Sequence, residues 1–155
     1  MQPDFMRRAI ALSCEQVASG GGGPFGAVIV RDGVVVAEGT NRVTSTNDPT
    51  AHAEMVAIRN ACAALGRFDL RGCEIYTSCE PCPMCLAAIY WARLDRIYFG
   101  NDRAGAAAIG FDDEFLYREV ALPIAERSVP TEQLLPDDAR TAFDAWRAKP
   151  DKVTY

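Results

Sequence analysis

This sequence predicts an α/β fold, with a mixed sheet covered by helices on both faces, and three observations carry that expectation. Residues 25–31 are apolar on both alternating faces, Val28 and Val30 on one and Phe25, Ala27 and Ile29 on the other, which marks an interior strand. Asp32-Gly33 is a tight-turn dipeptide between two apolar arms, so a hairpin opens the sheet. The strand–helix–strand order of residues 73–100 requires a parallel pair with a right-handed crossover. Antiparallel and parallel pairing then share one sheet, and its two apolar faces both need cover.

The elements follow in order. Met6, Ile10, Cys14 and Val17, with Phe5 and Ala9 alongside, predict a helix over 4–19. The glycine run 20–23 ends it, and lacks the Lys-Ser or Lys-Thr that follows a phosphate-binding loop. Residues 25–31 and 34–39 form the hairpin, with Asn41 just beyond, and the polar residues 43–49 read as a loop. A helix over 50–65 carries the stripe Met55, Ile58, Cys62 and Leu65, with Gly66 as its C-terminal cap. Residues 73–79 are a strand, Glu80-Pro81 opens a helix to about 93, and residues 96–100 are a fourth strand. Residues 105–110 read as a loop, and Asp112 or Asp113 caps a short helix to about 119. A fifth strand is expected over 127–134, against the objection of Pro130. A last amphipathic helix over 137–149 carries Phe143 and Trp146, and Pro150 leaves a tail of residues 151–155. With no repeat and no linker, residues 1–155 read as a single domain.

Composition narrows the function. The chain has 155 residues, 49% of them hydrophobic, enough for one real core. A net charge of -5 and the lack of any Lys or Arg run argue against a nucleic-acid partner and for a small substrate. No stretch reaches the length of a membrane span, and no secretory signal precedes the six cysteines. A reducing, cytoplasmic setting is therefore expected, with thiols serving as metal ligands or core residues.

Two motifs carry the chemistry: His52-Ala53-Glu54, and Pro-Cys-Pro-Met-Cys at 81–85. Zinc takes imidazole and thiolate ligands tetrahedrally, and three protein ligands leave a position open for catalysis. His52, Cys82 and Cys85 supply the three, and one zinc ion per chain is expected. Cys82 and Cys85 are three apart at a helix start, on one side and beside the positive end of the helix dipole. Glu54 is then free to move protons. Cys79, Cys82 and Cys85 also show a spacing used for iron–sulfur ligation, but a fourth cysteine is missing and His52 would have no role. A structural zinc module used for binding would have no use for Glu54.

Further stretches widen the pattern: Gly-Gly-Pro-Phe-Gly-Ala-Val-Ile-Val at 22–30, Asn-Asp-Pro-Thr-Ala-His-Ala-Glu at 47–54, Tyr-Thr-Ser-Cys-Glu-Pro-Cys-Pro-Met-Cys at 76–85, Ala-Ile-Tyr-Trp-Ala-Arg at 88–93 and Gly-Phe-Asp-Asp at 110–113. With them the chain resembles the cytidine deaminase superfamily, whose zinc signature is shared by nucleobase deaminases. Within it, Phe-Asp-Asp, Tyr-Trp-Ala-Arg and the terminal Tyr155 resemble the bacterial guanine-specific branch. The resemblance implies a three-layer α/β/α sandwich with a mixed five-stranded sheet. It implies hydrolysis of guanine, a small purine base, to xanthine and ammonia, with Glu54 and Asp113 moving protons. It places Asn41, Phe25, Trp91, Asp113 and Tyr155 around the base. It also implies a homodimer that exchanges C-terminal segments, residues 136–155, so that Tyr155 serves the other subunit's site. The alternatives are a deaminase of guanosine or another small aminated heterocycle (cytosine, an aminotriazine), and a tRNA adenosine deaminase, which the acidic composition opposes.

Overall fold

The computed structural model describes residues 2–155 and divides into two compact units, residues 1–114 and 115–155. The first contains the sheet. Its strands are β1 (Gly26–Arg31), β2 (Val34–Thr40), β3 (Cys73–Cys79) and β4 (Arg96–Asn101), in the order β2-β1-β3-β4. β1 is antiparallel to both β2 and β3, and β3 is parallel to β4, so the sheet is mixed. β1 is interior, as its two-sided apolar pattern requires. Asp32 and Gly33 both take positive φ, 51° and 74°, the requirement of a type I′ hairpin turn.

Each face of β1 feeds a different core. Ala27 and Ile29 are fully buried with Ala53, Ala57, Ala61, Ile75 and Ile89, beneath α3 (Ala53–Leu65) and α4 (Pro83–Trp91). Val28 and Val30 are buried with Ala9, Leu12 and Tyr76, beneath α1 (Pro3–Ser19). Full burial of a side chain such as Ile29 contributes about 1.5–3 kcal/mol. Two close approaches set these layers. A Cβ at Gly26 would lie 2.4 Å from the Ala9 carbonyl oxygen, and one at Gly39 would lie 2.2 Å from that of Ala53. The second approach lays the end of β2 along the start of α3.

Three expectations about these helices need correction. The buried face of α1 is Ala9, Leu12, Ser13 and Gln16, while Ile10, Cys14 and Val17 are exposed. Ser13 and Gln16 can turn inward because each finds a hydrogen-bond partner there. α3 begins at Ala53 rather than Thr50, because Asp48 accepts hydrogen bonds from the Thr50 backbone and hydroxyl and holds residues 48–50 in a turn. α4 begins at Pro83 rather than Glu80-Pro81. Two expected loops also hold short helices, α2 (Val43–Thr46) and α5 (Arg103–Ala108). Alanine-rich composition favours the latter, and Asp102 caps it through the Gly105 amide at 2.8 Å.

The second unit comprises most of α6 (Glu114–Ala121), a 3₁₀ turn (Ile124–Glu126) and α7 (Pro136–Ala148). The expected fifth strand is absent among the described residues, so the sheet has four strands. Residues 127–134 fold back instead. Glu119 accepts both the backbone amide and the hydroxyl of Ser128, at 2.8 and 2.9 Å, and the Arg127 guanidinium bonds the Leu122 carbonyl. Pro130 lacks the amide a ladder needs. No helix among the described residues is long and apolar enough to cross a membrane.

Candidate metal centre and active site

Two helix starts meet at the site. His52 is the N-cap of α3 and Cys82 the N-cap of α4, both in extended backbone with ψ of 158° and 168°. Capping residues lie outside the helical spiral, so His52 and Glu54 need not obey helical spacing. The parallel β3–β4 crossover delivers α4, and the tight β2–α3 approach delivers α3. His52 Nδ1 lies 3.6 Å from Cys82 Sγ and 3.6 Å from Cys85 Sγ. The three donor atoms lie within 4.8 Å of one another.

The donor chemistry fits zinc. The Cys82 thiol is pulled down to about 4, first by the hydrogen bond from Cys85, then by His52. Cys85 is pushed far upward by the same thiolate, by burial and by Glu54. Zinc takes its cysteine ligands as thiolates, and the lowered Cys82 value favours that form. His52 is held above its ordinary value, chiefly by its contact with Cys82. Bound by His52, Cys82 and Cys85, zinc would supply Lewis-acid activation of water.

Glu54, in the first turn of α3, is only 7% exposed. Burial raises its pKa first, and the Cys82 charge adds to that. A carboxyl so placed is moved toward the range where it can both take and give a proton. Asp113 is half-buried, and it too is raised, by burial and then by Cys82. Its neighbour Asp112 accepts the Glu114 amide at 3.0 Å, so the capping role falls to Asp112.

Asn41, 5% exposed, follows β2, and the Arg42 amide bonds the Ala51 carbonyl at 2.8 Å, tying it beside His52. Phe25 meets Phe111 edge-to-face with centroids 4.9 Å apart. Trp91 lies at the far end of α4 from the metal-ligand cysteines. It ends α4 and is 66% exposed, about 13 Å along the helix from Cys82. Tyr155 is exposed and lies in the second unit. Sequence reasoning missed Gln16, Ser78, Glu80 and Phe111. Ser78 accepts the Gly26 amide at 3.0 Å, and Glu80 accepts the Arg103 amide at 3.1 Å, anchoring the segment that leads to Asp113. Phe111 stood beside Asp112-Asp113 in the sequence, which was its available signal.

A sequence model of the cytidine and deoxycytidylate deaminase zinc-binding region matches residues 1–101. The chain belongs to the cytidine and deoxycytidylate deaminase family. It is 52% identical over 151 residues to the guanine deaminase of Bacillus subtilis (strain 168), covering 97% of each chain. The crystal structure of the B. subtilis guanine deaminase superimposes with a TM-score of 0.97 at 51% identity, covering 100% of this chain and 99% of that one. A tRNA-specific adenosine deaminase from Agrobacterium fabrum is 49% identical over 89 residues, only 56% of this chain and 59% of its own.

Proposed function

We propose that this chain hydrolyses guanine to xanthine and ammonia, with one zinc ion held by His52, Cys82 and Cys85. The observation that carries the substrate is full-length likeness. The guanine deaminase of B. subtilis matches 97% of the chain, whereas the A. fabrum tRNA enzyme matches 56%. In this reading, Glu54 takes a proton from the attacking water and returns protons to the ring and to the departing amine. Water adds at the carbon bearing the 2-amino group, the C–N bond breaks, and ammonia leaves. Asp113 assists that transfer, and Asn41 and Phe25 hold the base.

The reading extends to a homodimer in which residues 136–155 are exchanged, with Trp91 and Tyr155 completing the pocket. Exposed apolar side chains support it. Leu134, Leu135, Phe143, Val153 and Tyr155 are each at least 64% exposed, more than a lone surface favours. Mass balance tests the reaction. Zinc-loaded protein given guanine should form xanthine and ammonia in equal amounts, with about one metal per chain. Turnover with well under one metal per chain, or no xanthine, would refute it. Salt-dependent retention on tRNA would favour the tRNA reading instead.

A further inference from the structure

Asn41 is held at every hydrogen-bonding group but one. Its backbone amide bonds the Phe25 carbonyl at 3.2 Å. Its side-chain Oδ1 accepts the Val43 amide at 3.2 Å and the Gly23 amide at 3.4 Å. Both partners are backbone donors, so the atom facing them must be the amide oxygen. Its carbonyl accepts Gln16 Nε2 at 2.6 Å, a buried bond across 25 residues. What remains is the Nδ2 amide, which can only donate.

Gln16 is unusual on its own element. It is 9% exposed on the inward face of α1, two turns beyond Ala9, where an apolar residue would be the default. Its carbonyl also receives the Gly20 and Gly21 amides, so the same residue ends the helix and begins the glycine turn. Gly22 completes the arrangement. A Cβ there would lie 2.2 Å from the Asn41 carbonyl oxygen and 3.0 Å from Gln16 Nε2.

We infer that Gln16 is the positioning residue of the base-reading Asn41, fixing its side chain so that Nδ2 donates to an acceptor atom of the purine. Gly22 is the space that lets the two meet. Gln16 touches no substrate. It acts through the Asn41 backbone, and so shapes affinity for the base rather than the bond-breaking step. The inference rests on the guanine reading above, in which Asn41 holds the base.

The test compares Gln16→Leu and Gln16→Glu with the unmodified zinc-loaded enzyme. Gln16→Leu should raise KM for guanine about tenfold, the usual scale for losing one buried hydrogen bond. Its kcat should stay within about twofold, and its metal content should be unchanged. Gln16→Glu adds a readout that simple destabilisation would not move. When ionised, its carboxylate repels the Asn41 carbonyl. When protonated, its O–H donates as the amide did, and burial makes protonation accessible at mildly acidic pH. The KM ratio of Gln16→Glu to unmodified enzyme should therefore fall toward one as pH drops from about 8 to about 5.5. If Gln16→Leu does not fold, Gln16→Glu carries the test alone. Unchanged KM in both variants, or a fall in kcat at constant KM, would overturn the inference while leaving guanine turnover by the unmodified enzyme intact. Failure of the unmodified enzyme on guanine would sink the functional reading and the inference with it.

Discussion

The two compact units put their apolar side chains to opposite uses. Residues 1–114 bury Ala27, Val28, Ile29, Ile75 and Ile89 almost completely and hold His52, Glu54, Cys82 and Cys85 over that packed base. In residues 115–155, α7 buries nothing, though it carries Phe143 and Trp146, and α6 buries nothing either. A catalytic constellation needs rigid support, and the first unit provides it. The second unit leaves its large apolar side chains at the surface, which is the side of the contrast that the proposed dimer would use. The proposed reading assigns reaction chemistry to the first unit and substrate closure to the second, and that assignment can be attacked from either side.

Glu54→Gln attacks the first unit hardest. It keeps the shape and removes the proton carrier, so kcat should fall about 10²–10⁴-fold with the fold and metal content retained. Retained activity would reduce the metal centre to a structural one. Removal of residues 153–155 attacks the second unit. Guanine KM should rise about tenfold or more while the first unit keeps its metal, and unchanged turnover would exclude Tyr155 from the pocket.

Ile29→Ala against Phe143→Ala measures the contrast in stability. The first should lower unfolding free energy by about 2–5 kcal/mol, by denaturant titration. The second should leave a dilute monomer nearly unchanged and weaken self-association, read by sedimentation. Equal costs in the monomer would erase the distinction between the units.

The smallest effect is expected at the Arg8–Glu38 pair, 2.7 Å apart on the first unit's surface. Arg8 holds the Glu38 carboxyl below its ordinary value. A lowered folded-state value means the contribution is present above about pH 4.5 and is lost as pH falls through the lower value. Arg8→Ala should therefore destabilise by at most ~1 kcal/mol at pH 7 and by less under strong acid. A larger loss in acid would contradict the assignment.

Sequence made much of this legible where one physical signal decided the outcome. The hairpin turn, the interior strand and the β3–α4–β4 crossover follow from dihedral and packing rules that leave few alternatives. The His-x-Glu and Cys-x-x-Cys motifs declared the metal centre because those donor types have few other uses together. The face of α1 is only partly the expected one: Phe5, Met6 and Ala9 do pack inward, but Ile10, Cys14 and Val17 keep a helical period as well as Leu12 and Gln16 do and are exposed. Periodicity could not say that small and polar residues would be the buried ones. Gln16 was invisible because its partner, the Asn41 carbonyl, is a backbone atom that no side-chain pattern reports. The fifth strand failed because Glu119 captures Ser128, a contact across nine residues that competes with extension. Spacing alone left Asp112 and Asp113 as equal candidates for the cap, and only the resemblance singled out Asp113; the structure gives the capping bond to Asp112.

The central claim is that this site removes ammonia from free guanine. The direct measurement is kcat/KM for ammonia release from guanine, guanosine, adenine, cytosine and cytidine by the zinc-loaded protein. Guanine should lead, with xanthine formed mole for mole. Guanosine turning over as fast or faster would contradict the free-base assignment.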